Sequence, residues 1–219
     1  MTPAFDEINP LPDGVDADAL IHERAYIVRA YRSGTDKLIL RGAVRDQKPA
    51  GLYFDDDQSL TVHHMIVDLT VAMPSLEILA AKVVLEIHPH AQCTRIEDHY
   101  QKLVGLSIAR GFTKQVRELF AGPRGCTHTT ALLQAMAPVA IQSIWSINMS
   151  QVHDGDANPF TDDEAHRRAM MANVNTCHVW ADDTEHVAGL RDGGQMDVPL
   201  WVTKRFKELG RDPSTFRGG

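Results

Sequence analysis

The run Gly-Cys-Thr-His at residues 125–128 brings a thiol, a hydroxyl and an imidazole together within three consecutive residues. The loop GPRG leads into this run and the apolar stretch THTTALLQAMAPVAIQSIW follows, so the sequence predicts that a long helix begins here. The first turn of a helix has unpaired backbone N–H groups and a partial positive charge, which favour a thiolate, an oxyanion or a phenolate. Two interpretations stay open. The run forms a site, or Thr127 is only the helix N-cap and Cys126 only a small buried residue.

A second group of polar side chains lies on two predicted strands. Because side chains alternate between the faces of a strand, His64 and Asp68 share one face of the stretch SLTVHHMIVDLTVAM, and His63 falls on the apolar face. Glu86 and His88 share a face of the next strand, and the two faces together would form a polar strip. This strip predicts either a cleft in which a histidine acts as general base or the solvated outer face of a sheet.

A carboxylate and an ammonium group end the second predicted strand. Asp46 and Lys48 are two residues apart, beside Pro49. They could orient a substrate hydroxyl or phenolate, and they could equally form a surface ion pair that contributes little to stability.

The spacing of potential metal ligands matches no common metal motif. Cys126 and His128 are two apart and Cys177 and His178 are adjacent, but the chain has neither HExxH nor CxxC. We therefore predict no metal, and a site assembled from distant residues is the alternative. The chain also lacks a Walker loop, GxGxxG and GxSxG, so we expect no nucleotide cofactor and no common serine hydrolase arrangement.

The elements that must position these residues fall into two halves. Alternating apolar residues predict an antiparallel meander of about four strands, over residues 22–32, 37–46, 59–73 and 76–88. The apolar period then becomes helical. It predicts helices over 94–109, 113–120, from 127 with a kink at Pro138, over 161–173 and over 197–209. Strands followed by helices predict an α+β fold whose helical C-terminal half packs on the sheet.

The ends of the chain differ in composition from its middle. Residues 1–20 carry three prolines and several acids, and we expect an extended arm there. We expect residues 21–209 to form a single α+β domain and residues 210–219 to form a loose tail.

The composition indicates which binding partners and which cellular compartment to expect. A net charge of −7 argues against nucleic acid and against an anionic membrane surface, and no apolar run is long enough to predict a membrane span. The first residues lack the basic and apolar regions of a signal peptide, and three cysteines without CxxC spacing predict reduced thiols, so we expect a cytoplasmic protein. The proline-bearing arm and an exposed sheet edge predict a homodimer.

Several of these stretches together resemble a bacterial family, domain-of-unknown-function family 2889. The likeness extends over most of residues 22–180. The most specific part is GCTH at 125–128 and its spacing from LVGLSIARGF. The other matching positions are Asp46, Lys48, His64, Met65, Val67, Leu69, Cys93, Tyr100, Leu132, Leu133, Asn175, Thr176 and Cys177.

A narrower resemblance is to a γ-formaldehyde lyase of lignin-derived phenylcoumaran catabolism. This resemblance implies a cofactor-independent enzyme that removes the γ-hydroxymethyl group of an aromatic dimer as formaldehyde and leaves a stilbene. Such a site needs a base for the hydroxyl, an acid for the departing phenoxide and a positive group for a phenolate. His64 or His128 could be the base and Asp46 could orient it. Substrate contacts could come from Lys48, Thr127, Cys126, Asp68 and Tyr100.

Two other functions remain open at this point. One is a metal-dependent hydrolase with cysteine and histidine ligands, and the other is a non-catalytic protein that binds an aromatic ligand. A variant of the lyase hypothesis makes Cys126 a nucleophile.

Overall fold

The computed structural model describes residues 13–16, 19–109, 111–155, 163–194 and 197–216. The chain divides into two compact units, Met1–Ser143 and Ile144–Gly219. Most of the expected arm over residues 1–20 lies outside the described residues, and the single domain over 21–209 stays a prediction.

The first unit is built on four strands in sequence order. They are β1 (Glu23–Ser33), β2 (Lys37–Lys48), β3 (Leu60–Ala72) and β4 (Ile78–Ile87), and each pairs antiparallel with the next. The predicted antiparallel meander at the N-terminus, followed by helices, is confirmed. The fold is α+β.

One face of this sheet is apolar and buried because the side chains alternate along the strands. From β2 it receives Leu38, Leu40 and Val44, and from β3 it receives Met65, Val67, Leu69 and Val71. The opposite face carries the exposed side chains of Ile27, Tyr31 and Ile39 and the ion pair between Arg41 and Asp68.

A 3-10 helix and a short α-helix follow the sheet. The 3-10 helix spans Cys93–Leu103, and α1 spans Phe112–Phe120. The predicted helix over 94–109 is thus shorter and more tightly wound than expected. It ends before Gly105, whose φ of 87° is the left-handed conformation that glycine adopts most easily. The chain then runs beside β4, where the Leu106 carbonyl accepts the N–H of Ile78.

The long helix α2 spans Thr127–His153 and continues through Pro138. Its Leu132, Leu133 and Met136 are fully buried in the first unit. A Cβ atom on Gly42 of β2 would lie 2.7 Å from the Met136 sulfur, so the missing side chain lets helix and sheet approach closely. By length and composition alone α2 could cross a membrane, a test that the core helix of a soluble protein also passes.

The second unit is helical where it is described. It contains α3 (Asp163–Met171), α4 (Glu185–Arg191) and α5 (Leu200–Glu208). The predictions over 161–173 and 197–209 correspond to α3 and α5, whereas α4 was not predicted. Thr184 caps α4 by accepting the N–H of Val187. In the expected loose tail, Phe216 makes edge contacts with Trp201 and Phe206.

Candidate functional site

A buried carboxylate lies at the centre of the site. Asp46 is near the end of β2, and its side chain is 2% exposed. Its partner across the sheet is Arg24 of β1, whose Nε and Nη2 donate to the two carboxylate oxygens over 2.5 and 2.7 Å. These bonds from Arg24 lower the pKa of Asp46 to about 2, although burial opposes the shift. Asp46 is therefore an ionised acceptor at neutral pH.

Two imidazoles share one oxygen of that carboxylate. His63 Nδ1 lies 3.1 Å from Asp46 Oδ2, and His128 Nε2 lies 3.2 Å from the same oxygen. His63 faces Asp46 because the two residues are partners in the β2–β3 register. His128 arrives from the first turn of α2. The two rings stack, with their centroids 4.0 Å apart.

The surroundings of the two rings favour neutral His128. Burial lowers the pKa of His128 from its ordinary value, and the nearby His63 and Arg24 lower it further, while Asp46 acts in the opposite direction. In the neutral form of either ring, ionised Asp46 favours the tautomer with hydrogen on Nδ1 of His63 or on Nε2 of His128, which leaves the lone pair on the other nitrogen. The site therefore offers two bases oriented by one carboxylate.

The thiol of Cys126 lies against one of those lone pairs. Its sulfur is 3.6 Å from His128 Nδ1. Thiol, imidazole and carboxylate thus follow each other in the order that activates a nucleophile in cysteine and serine hydrolases.

A buried phenol and a close backbone contact hold the start of α2. The hydroxyl of Tyr100 accepts the Cys126 N–H over 2.8 Å, and Thr130 donates through its hydroxyl to the carbonyl oxygens of Cys126 and Phe120. A Cβ on Gly125 would lie 2.5 Å from the Phe120 carbonyl oxygen, so glycine is needed there. Burial raises the pKa of Tyr100, so the phenol stays protonated.

A cavity of about 400 Å³ opens in front of these groups. Five of its twelve lining residues are apolar, and polar atoms come from the histidines, from Gln92 and from the start of α2. The lining residues are His63, Met65, Leu85, Pro89, Gln92, Cys93, Ile96, Pro123, Gly125, Cys126, Thr127 and His128. Its size and lining suit a small aromatic molecule.

The structure brings together only part of the predicted site. Asp46, His128 and Cys126 meet at the cavity, and Thr127 lines it. Tyr100 was predicted to contact substrate. It is fully buried beneath the helix start, so its hydroxyl positions Cys126 instead.

Three other predicted residues lie away from the cavity. His64 points to the other face of the sheet and contacts Glu86, as the alternation of β3 requires. Asp68 shares that outer face and pairs with Arg41 over 2.7 Å. Lys48 lies over the ring of Tyr53, with Nζ 5.9 Å from the centroid. His64, one of the two candidate bases, therefore does not lie at the cavity with the start of α2.

Sequence reasoning missed His63 and Arg24. The signal for His63 was present, because strand alternation placed a lone imidazole among apolar side chains that face the core. A titratable group on such a face needs a polar partner. The role of Arg24 depends on its pairing with Asp46, for which the sequence offers no local signal.

One group among the described residues could hold a metal ion. Ligand atoms of Asp46, His63 and His128 all lie within 4.8 Å of one another. Two histidines with one carboxylate are a known ligand set for iron and zinc. The guanidinium of Arg24 already binds both oxygens of Asp46, however, so a metal would have to compete with a fixed positive charge.

Comparison with known proteins identifies the family of this chain. A family model described as "Protein of unknown function (DUF2889)" matches residues 22–142, more than half of the chain, and the chain belongs to that family. The matched range contains Arg24, Asp46, His63, Cys126 and His128. No curated protein and no solved structure matches the chain.

Proposed function

We propose that this protein is a cofactor-independent lyase that releases formaldehyde from the γ-hydroxymethyl group of a lignin-derived aromatic dimer. The observation that carries the proposal is the pair of imidazoles on Asp46 at the wall of a largely apolar cavity. The apolar lining suits aryl rings, and the imidazoles supply the acid–base chemistry.

The reaction needs one proton to move and no redox step. A histidine takes the proton of the γ-hydroxyl, the Cβ–Cγ bond breaks, and its electrons form the Cα=Cβ bond of the stilbene. The Cα–O bond of the phenylcoumaran breaks at the other end, and the phenoxide oxygen receives a proton from an imidazolium. Formaldehyde and a stilbene phenol are the products, so atoms and charge balance.

Two bases on one carboxylate suit this proton transfer. His63 Nε2 is the ring nitrogen not engaged by Asp46, and we assign it to the γ-hydroxyl. Ionised Asp46 stabilises the imidazolium that forms. His63 Nε2 then returns the proton to the phenoxide oxygen, while the stacked His128, whose Nε2 contacts the same Oδ2, helps to hold the carboxylate in place. Backbone N–H groups at the start of α2 stabilise a phenolate.

Activity measurements on matched histidine variants test this proposal. Purified protein is incubated with a phenylcoumaran that has a γ-hydroxymethyl group, and both formaldehyde and stilbene are quantified. We expect His63→Gln to lower turnover by about 100-fold or more, as the loss of a general base does. His64→Gln changes the adjacent imidazole on the opposite face and serves as the matched control.

Two outcomes would count against the proposal. Failure of the unmodified protein to release formaldehyde from any such dimer would refute the lyase activity. Equal losses in His63→Gln and His64→Gln would refute the assignment of the base.

A metal-dependent hydrolase is the second candidate, and the Asp46, His63 and His128 group favours it. Metal analysis of protein purified without chelator separates the two functions. One equivalent of zinc or iron, lost together in His63→Gln and His128→Gln but kept in His64→Gln, would support the hydrolase. Full formaldehyde release after treatment with chelator would support the lyase.

A further inference from the structure

We propose that Cys126 is a nucleophile, activated by His128 and Asp46, that adds reversibly to the carbonyl carbon of an aldehyde in the cavity. The nucleophile follows from the geometry of the three residues. The choice of an aldehyde rests on the proposed function, in which formaldehyde is released beside the same thiol.

The arrangement of atoms supports activation of the thiol. Cys126 Sγ lies 3.6 Å from His128 Nδ1, and His128 Nε2 lies 3.2 Å from Asp46 Oδ2. The ionised carboxylate beside Nε2 favours the tautomer in which Nε2 carries the hydrogen and Nδ1 has the lone pair. Arg24 keeps that carboxylate ionised and fixed in place.

The position of the thiol gives it access to a ligand. Cys126, His128 and Cys93 all line the cavity of about 400 Å³, whereas Cys177 is exposed in the second unit. The Tyr100 hydroxyl accepts a hydrogen bond from the Cys126 N–H, which fixes the position of the Cys126 backbone beside the cavity. Cys93 therefore provides an internal comparison in the same cavity.

The addition balances without any further reactant. The thiol proton passes to His128 Nδ1 as the sulfur forms a bond to the carbonyl carbon. The electrons of the C=O π bond move to oxygen, and that oxygen takes the proton back from the imidazolium. The product is a hemithioacetal, S–CH2–OH for formaldehyde, and the reverse steps release the aldehyde and restore the thiol.

Alkylation rates of single thiols test the nucleophile. The variant Cys93→Ser with Cys177→Ser keeps only Cys126, and Cys126→Ser with Cys177→Ser keeps only Cys93. With iodoacetamide near neutral pH we expect Cys126 to react at least about 10-fold faster than Cys93. Adding His128→Gln to the first variant is expected to remove that advantage. Equal rates for the two thiols would overturn the proposal, whether or not the His128→Gln variant folds.

Protection by formaldehyde tests the aldehyde. Formaldehyde added before iodoacetamide is expected to slow alkylation of Cys126 by about 5-fold or more, and dialysis is expected to restore the rate. Methanol and the Cys93-only variant are the controls. Unchanged alkylation of Cys126 in formaldehyde would overturn the aldehyde adduct.

The same measurements separate this inference from the proposed function. Protection of Cys126 without any lyase turnover would support the adduct and count against the lyase. Lyase turnover without protection of Cys126 would support the lyase and count against the adduct.

Discussion

At the scale of single residues, one carboxylate organises the site. Asp46 accepts hydrogen bonds from Arg24 and His63, its Oδ2 lies 3.2 Å from His128 Nε2, and its side chain is almost completely buried. The outer face of the same sheet has a second bidentate pair, Arg41 with Asp68, between the next two strands. The two pairs have similar geometry but differ in burial, so they provide a direct comparison.

Substitution of the two aspartates is expected to give unequal losses of stability. Asp46→Asn removes the charge that balances a partly buried guanidinium and should lower the free energy of unfolding by about 2–3 kcal/mol. Asp68→Asn breaks the more exposed pair and should lower the free energy of unfolding by less than about 1 kcal/mol. Urea denaturation of both variants measures the difference. Equal losses would show that burial does not distinguish the pairs.

Acid should destabilise the protein through His128. The folded-state pKa of His128 is lowered from its ordinary 6.5, mainly by burial. Below that ordinary value the unfolded chain therefore binds more protons than the folded one. The free energy of unfolding should fall as pH drops from about 7 to about 5, and His128→Gln should reduce this slope. Urea denaturation of both proteins between about pH 7 and about pH 5 measures this dependence. The same dependence of the free energy of unfolding on pH in His128→Gln would contradict the prediction.

At the scale of elements, the site depends on two local geometries. The alternation of β3 turns His63 towards the cavity and His64 towards the outer face. The loop before α2 passes so close to the end of α1 that a side chain at Gly125 would meet the backbone of Phe120. The first geometry selects the histidine, and the second places Cys126 and His128.

Adding one carbon atom at Gly125 should disturb the site. In Gly125→Ala the new Cβ would lie 2.5 Å from the Phe120 carbonyl oxygen, and backbone cannot move aside as a flexible side chain can. We expect the free energy of unfolding to fall by about 2 kcal/mol. We also expect iodoacetamide to alkylate Cys126 more slowly in this variant. Gly189→Ala in α4 is the control. It has open space around its Cβ and should raise stability by roughly 0.5–1 kcal/mol. Equal melting temperatures for the two variants would contradict the steric explanation.

On a larger scale, one edge of the sheet has no paired strand among the described residues. The far side of β4 is met by the segment around Leu106 and Ser107, through backbone bonds and an isolated bridge. The other edge strand is β1, which also carries the exposed side chains of Ile27 and Tyr31. Open strand edges favour pairing between chains.

The prediction of a homodimer can be tested at this scale. We expect light scattering to give the mass of two chains. We expect deletion of residues 1–20 to shift the protein towards one chain, because the proline-bearing arm is one of the two features from which the dimer is predicted. The deletion leaves β1 complete, since that strand begins at Glu23. The mass of one chain for the full-length protein at all concentrations would refute the dimer.

The strands, the start of α2 and four residues of the site, Asp46, Cys126, Thr127 and His128, could be predicted from sequence alone. Alternation and helical periodicity are local properties, so β1 to β4 were predictable to within a few residues, and the GCTH run indicated Cys126 and His128 directly. Asp46 was predictable as a candidate because its type and its place at a strand end were visible in the sequence.

Which residues contact one another at the site depends on the packing of the strands and helices. The register of β2 against β1 and β3 sets Arg24 and His63 beside Asp46, and register depends on which side chains pack into the core. Packing also brought Lys48 over the ring of Tyr53 and buried Tyr100 beneath the helix, whereas the alternation of β3 by itself placed His64 and Asp68 on the outer face. Contacts between residues far apart in the chain arise from packing of whole elements, and no local pattern specifies them.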